Sequence, residues 1–140
     1  MQRILAFDVG DKRIGVAVSD ALGITAQPVE TYHRSGGAQK DAEYLLTLAK
    51  KYAPCMLLFG MPRNMDGSYG EQSEKVKKFA EKVLEGWDGE YTFYDERLTT
   101  MAARRVLLDA DISRGKQKKV IDKLAAAVIL QGYMESHPNR

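Results

Sequence analysis

Cysteine and histidine are scarce in this sequence. Its 140 residues include one cysteine and two histidines. Cys55 lies in an apolar run and cannot form an internal disulfide, so the fold is not held by disulfides and we expect a reducing environment. His33 and His137 stand in polar or terminal sequence, which leaves little material for a Ser-His-Asp triad or a histidine-rich zinc site. We expect both histidines on the solvated surface.

Long hydrophobic runs are absent as well. No stretch of the sequence resembles a signal peptide or a membrane span. We therefore expect a cytoplasmic protein with no membrane partner. The length predicts one domain, residues 1–140. A domain of this size buries roughly two-thirds of its unfolded surface and can hold a hydrophobic core without disulfides or structural metals.

Net charge is small, but it is unevenly distributed. The formal charge is +2 for the whole chain. Residues 1–96 carry 12 basic and 15 acidic side chains, whereas residues 97–140 carry 9 basic and 4 acidic ones. A basic C-terminal third suits a polyanionic partner, although a solvated basic surface would give the same count.

The first hydrophobic segments predict a β-hairpin, in which two apolar runs flank a polar stretch. We interpret Gly10 and Gly15 as the turn glycines. Asp8 ends the first strand after four apolar residues, and burying an ionised carboxylate there costs several kcal/mol unless a cation meets it. The segments, in order, are residues 3–10, 11–15 and 16–19.

The remaining chain predicts alternating strands and helices. Pro28 assigns its strand to a sheet edge, because proline cannot donate to a ladder. The predicted elements are a strand at 24–32, a helix at 38–52, a buried strand at 55–59, a loop at 60–68, a helix around 76–83, a strand at 91–94, a helix at 101–109, a basic loop at 114–119 and a helix at 124–134. The fold class is α/β: a mixed five-stranded sheet, in which strands 1–3 form an antiparallel meander and the later strands are parallel, flanked by helices.

Four acidic residues lie where an apolar element meets a polar loop, namely Asp8, Asp95, Glu96 and Asp122. One fold could bring all of them to a single sheet edge, where like charges are unfavourable unless divalent cations lie between them. Carboxylates with no cysteine or histidine nearby favour Mg²⁺ or Mn²⁺ over zinc. Two such ions can hydrolyse a phosphodiester. For Asp122 the alternative is a carboxylate in the first turn of a helix, paired with Lys118.

Four segments in a fixed order then carry a family resemblance: residues 7–10 with 13–17, 60–62 with 64–68, 95–100, and 121–126. Together they resemble the YqgF (RuvX) family over almost the whole chain. The resemblance implies an RNase H-like fold and a metal-dependent nuclease site. In that site Asp8, Glu96 and Asp122 would be the catalytic residues and the metal ligands.

Other polar residues near the proposed metal ligands are expected to have supporting roles. Adjacent strand residues point to opposite faces, so only one of Asp95 and Glu96 can aim directly at the metals, and we favour Glu96. Asp95, Thr99 and Thr100 are then expected to support the site or to cap the following helix.

Several basic and amide side chains are candidate contacts to nucleic acid. Their alternative role is solubility and surface ion pairing. The candidates are Arg13, Arg63, Asn64, Arg97, Arg104, Arg114, Lys116, Lys118 and Lys119.

The resemblance leaves the substrate open. Family members are described as nucleases that mature the 5′ end of the precursor of small-subunit ribosomal RNA, and also as Holliday junction resolvases. A resolvase cuts two strands symmetrically and is expected to be a C2 dimer, whereas an RNA-trimming enzyme could be a monomer. We favour RNA maturation by a monomer or weak homodimer.

Two other functions compete with a nuclease. A non-catalytic nucleic-acid-binding module could keep the same fold. An ATP-binding module of the actin and hexokinase type has a similar phosphate-cradling hairpin, but it generally needs a second similar domain, for which this chain has no room.

Overall fold

The computed structural model describes residues 2–62, 70–95 and 114–137, with side chains of the last range from residue 124 onward. Its elements are β1 (Arg3–Val9), β2 (Arg13–Ser19), β3 (Ala26–His33), α1 (Ala38–Lys51), β4 (Cys55–Met61), α2 (Glu71–Glu85), β5 (Tyr91–Asp95) and α3 (Arg114–Ser136). The predicted helix at 101–109 and most of the predicted loop at 60–68 lie outside these residues.

The strands form one five-stranded sheet in the order β3-β2-β1-β4-β5. β1, β2 and β3 pair antiparallel, while β4 pairs parallel with both β1 and β5. The predicted mixed sheet is therefore confirmed. Pro28 lies in the outer strand β3, opposite Ala17 and beside a shift in register, where a missing backbone donor is tolerated.

Helices cover both faces of the sheet. Alternate residues of β1 and β4, such as Phe7 and Phe59, pack with α1 and α2 on one face. The residues between them, such as Ala6 and Leu58, pack with α3 on the other face. β1 and β4 can fill both layers because their sequences are apolar at consecutive positions, as expected for strands buried on both faces.

The C-terminal helix begins earlier than its sequence predicts. Residues 114–119 were expected to form a basic loop, which is wrong, because α3 begins at Arg114. Lysine, arginine and glutamine are good helix formers, and one interior glycine costs only about 1 kcal/mol. Asp122 therefore lies more than two turns inside α3, and its alternative interpretation as a first-turn carboxylate is also wrong.

Two smaller features complete the fold. Both His33 and His137 are exposed, as predicted, and the His137 ring stacks on Tyr133 at a centroid distance of 4.2 Å. Within the part of the chain that the structure describes, no helix is sufficiently long and apolar to cross a membrane.

Candidate functional site

Asp8 lies near the carboxyl end of β1, directly opposite Gly15 of β2. Its position alternates with Phe7 and matches Ala6, so it belongs to the sheet face that α3 covers. A Cβ atom built on Gly15 would lie 3.7 Å from the Asp8 Cβ and 3.5 Å from the Ala126 Cβ. Gly15, predicted as a turn residue, is thus a strand residue instead, and α3 passes close to the half-buried Asp8.

The direction of α3 shows where Asp122 lies relative to Asp8. Ala126 lies over Gly15, whereas Gln131 accepts a hydrogen bond from the Ala26 amide at 3.1 Å near the opposite end of β2. The helix therefore runs from the carboxyl edge of β1 toward its amino edge. Asp122 precedes Ala126 by one helical turn, so its backbone lies further toward the carboxyl edge, where β1 presents Asp8.

Asp95 lies on the other face of the sheet. It ends β5 opposite Met61 and lines a cavity of about 360 Å³ with Glu74 and Lys77 of α2. Phe93, two residues earlier, packs in the layer of α1 and α2, while Tyr94 packs in the layer of α3. The structure therefore does not bring Asp95 onto the face that carries Asp8. Glu96 lies outside the described residues.

The cleft beside Asp8 is formed by the β1–β2 hairpin and β3. It has a volume of about 460 Å³, and Arg13 and Thr31 line it together with Asp8. Arg13 is exposed, which places one predicted nucleic-acid contact beside the acidic residue. Of the other predicted residues, Arg114, Lys116, Lys118 and Lys119 lie in the first turns of α3, whereas Arg63, Asn64, Arg97, Thr99, Thr100 and Arg104 lie outside the described residues.

Gly10 closes the turn that follows Asp8. Its amide donates to the Arg13 carbonyl at 2.8 Å, and a Cβ atom there would lie 2.9 Å from the same oxygen. Real Cβ atoms essentially never approach another heavy atom so closely, so any other residue at this position would force the turn to shift. This agrees with the prediction of Gly10 as a turn residue.

Arg34 ties this turn to the rest of the fold. Its Nη1 donates to the Gly10 carbonyl and its backbone amide to the Lys12 carbonyl, both at 2.9 Å. Its Nε donates to Asp41 of α1 at 2.8 Å, and its guanidinium lies 4.7 Å from the ring centroid of Phe79 in α2. The turn beside Asp8 is therefore anchored to both helices on the opposite face.

Asp41 is the buried partner of Arg34. Only 1% of its side chain is exposed, and its carboxylate also accepts a hydrogen bond from the Tyr32 hydroxyl at 2.9 Å. Burial acts to raise the pKa of Asp41, but the hydrogen bonds from Arg34 and Tyr32 outweigh it and hold that pKa below its usual value. Sequence reasoning missed this pair, because an arginine after a strand and an aspartate in a first helical turn both look like surface residues.

The donor chemistry around Asp8 is that of oxygen ligands. Within the described residues, no three histidine, cysteine or acidic side chains lie close enough together to hold a metal ion. Asp8 is the member of the predicted triad whose side chain the structure describes, and its carboxylate suits a hard divalent cation. The absence of a Cβ at Gly15 leaves space beside it.

Comparison with known proteins identifies the family. The model of the family described as "RuvX: Holliday junction resolvase" matches residues 2–136. The chain belongs to the RuvX family. Relatives named "Putative pre-16S rRNA nuclease" include one from Desulforamulus reducens, 54% identical over 134 residues, which are 96% of this chain and 97% of the relative. A RuvX relative of the same name from Clostridioides difficile is 53% identical, with 95% and 94% of the two chains covered.

Solved structures confirm the fold of this RuvX chain. The structure of T. thermophilus RuvC in complex with a Holliday junction substrate is similar with a TM-score of 0.60 and 16% identity, over 97% of this chain and 96% of that chain. Another Thermus thermophilus RuvC structure gives a TM-score of 0.54 and 14% identity, with 96% of each chain covered. The predicted RNase H-like fold and the family resemblance are both confirmed.

Proposed function

We propose that residues 1–140 form one metal-dependent nuclease domain that hydrolyses phosphodiester bonds and matures the 5′ end of pre-16S ribosomal RNA. The observation that carries this proposal is the position of Asp8 at the carboxyl edge of β1, on the face along which α3 approaches. The name shared by the RuvX relatives at 54% and 53% identity, "Putative pre-16S rRNA nuclease", supports the same activity and substrate.

Asp8, Glu96 and Asp122 are the proposed metal ligands. Asp122 is one turn before Ala126, toward the edge where β1 presents Asp8. Asp95 lies on the face of α2, so the alternation of a strand favours Glu96 over Asp95 for the face of Asp8. Bound there, Mg²⁺ or Mn²⁺ would activate water and stabilise the leaving oxygen of the phosphodiester.

The cleavage assay uses the intact chain, Mg²⁺ or Mn²⁺, a pre-16S RNA fragment with its 5′ extension, and four-way DNA junctions. We expect the RNA to be cut. We expect Asp8→Asn to lower the rate at least about 100-fold, because loss of a metal ligand should cost at least as much as loss of a residue that orients one. Asp88→Asn is the matched control, because this exposed aspartate lies outside the cleft and should leave cleavage intact. A folded Asp8→Asn variant that cuts like the parent would refute the proposed site.

Holliday junction resolution is the second candidate, because the matching family model carries that description. A resolvase must make two symmetric cuts and is expected to act as a C2 dimer. For RNA maturation we propose a monomer or weak homodimer. Cleavage of the four-way junction alone, by a chain that sediments as a dimer, would replace the RNA proposal with this one.

A further inference from the structure

We propose that a lysine-lined cleft between α1 and α2, on the sheet face opposite α3, binds the phosphate backbone of the nucleic-acid substrate beyond the Asp8 site. The cleft has a volume of about 760 Å³. Lys75, Lys78 and Lys82 of α2 line it together with Lys12 of the β1–β2 turn. We call it the α2 basic cleft; its role as a substrate site rests on the proposed nuclease function.

The three lysines of α2 form one stripe. Their spacing of three and four residues places them on the same side of the helix, and all three are exposed. Lys75 and Lys82 are seven residues apart, roughly 10 Å along the helix axis, which matches about three phosphates of a helical strand. Lysines act on phosphates as point charges and carry no base readout, so this surface suits a backbone rather than a particular sequence.

The charge of the cleft is positive. Besides His33, its lining contains five basic side chains and two acidic ones. The negative charge of Asp41 is already compensated by Arg34, which binds it at 2.8 Å, and only 1% of the Asp41 side chain is exposed. Asp11 lies 3.7 Å from Lys75, but both side chains are more than half exposed, so a phosphate can compete for this lysine at little cost.

The shape of the cleft leaves its lysines accessible. Gly36 and Gly37 also line the cleft, and they have no side chains to obstruct a ligand. A Cβ atom built on Gly36 would meet nothing within 4 Å, so the backbone there borders open space. A flexible polyanion can therefore lie along α2.

The α2 basic cleft is continuous with the cleft of Asp8. Asp11, Lys12 and His33 line both of them, so the two clefts meet at the β1–β2 turn. A nucleic acid cut beside Asp8 can thus cross the turn and continue along α2. This path lies on the opposite side of the sheet from residues 126–134, the part of α3 that packs against it.

The test measures binding separately from cleavage. The double variant Lys78→Gln/Lys82→Gln is compared with Lys50→Gln/Lys51→Gln, which removes the same charge from exposed positions at the far end of α1. Affinity for the 5′-extended pre-16S fragment is measured without divalent metal, over a series of salt concentrations. We expect the cleft variant to bind about 10-fold more weakly, with a salt slope reduced by roughly 1.4, or about 0.7 for each lost phosphate contact.

Three results would overturn the α2 basic cleft. These are unchanged affinity and salt slope in the Lys78→Gln/Lys82→Gln variant, an equal loss in the Lys50→Gln/Lys51→Gln control, and no binding by the parent protein. Cleavage supplies the second readout: we expect the cleft variant to raise KM for a long substrate while kcat stays unchanged. A parent that binds through these lysines but cuts nothing would refute the nuclease proposal and leave the cleft in place.

Discussion

Arg34 contributes to more parts of the structure than its place between β3 and α1 suggests. Its side chain and backbone hold two carbonyl groups of the β1–β2 turn, while Asp41 and Phe79 hold its guanidinium. About a fifth of the side chain is exposed, so the charge is largely removed from water and depends on Asp41 for compensation. The geometry of the turn beside Asp8 thus depends on an ion pair on the opposite face of the sheet.

Removing the buried carboxylate should therefore be costly. We expect Asp41→Asn to lower the free energy of unfolding by about 3 kcal/mol, because Arg34 loses its counter-charge. Asp11→Asn breaks the exposed pair with Lys75 and should change it by less than about 1 kcal/mol. Urea unfolding of both variants and the parent checks the comparison, and equal effects would show that the Arg34–Asp41 pair contributes no more than a surface pair.

The pH dependence of this contribution has a definite sign. The pKa of Asp41 is lower in the folded protein than in the unfolded chain, so its stabilisation is present above the unfolded value of 3.8 and is lost as pH falls through the folded value. The difference in unfolding free energy between parent and Asp41→Asn should thus be constant near neutral pH and shrink below about pH 4. A difference that grows on acidification would contradict the lowered pKa.

Among the elements, the β1–β2 hairpin depends most on single glycines. Gly10→Ala would bring a Cβ atom to 2.9 Å from the Arg13 carbonyl, so the turn must shift, and we expect a loss of about 1–3 kcal/mol, as for overpacked positions. Gly15→Ala adds a Cβ at an ordinary 3.5 Å from Ala126 and should stay within about 1 kcal/mol of the parent. Urea unfolding measures both, and equal losses would mean that the turn is not the sensitive point.

The helices α1 and α2 were predictable from sequence because their apolar residues recur at helical spacing, and the hairpin and β4 because short apolar runs lie between turn residues. Strand alternation indicated that only one of Asp95 and Glu96 can face the metals, but which face Asp95 occupies depends on the register of β5 against β4, which no local pattern encodes. The start of α3 was missed because residues 114–119 include Gly115 and no apolar residue, so no hydrophobic period marks them as helical. The lysine stripe of α2 was visible in its spacing, but its place beside the turn depends on tertiary packing.

For the fold as a whole, the shared sheet couples two hydrophobic layers. Leu5, Phe7, Leu57 and Phe59 support α1 and α2, while intervening residues of the same two strands support α3. Neither layer can separate from the sheet without exposing a face made of buried apolar side chains. Both layers should therefore unfold in one cooperative transition.

Leu130→Ala tests this coupling. Leu130 is fully buried in the layer of α3, so its truncation should cost about 2–5 kcal/mol and lower Tm by about 5–20 °C. Trp87, the single tryptophan, packs in the opposite layer and reports on it by fluorescence, while far-UV circular dichroism reports on the whole fold. We expect both transitions to shift together, and Leu22→Ala, at a position 70% exposed, to leave both within about 0.5 kcal/mol of the parent. If Leu130→Ala shifts the dichroism but leaves the Trp87 transition in place, the two layers unfold independently. The sheet would then not couple the stability of the α3 layer to that of the α2 basic cleft.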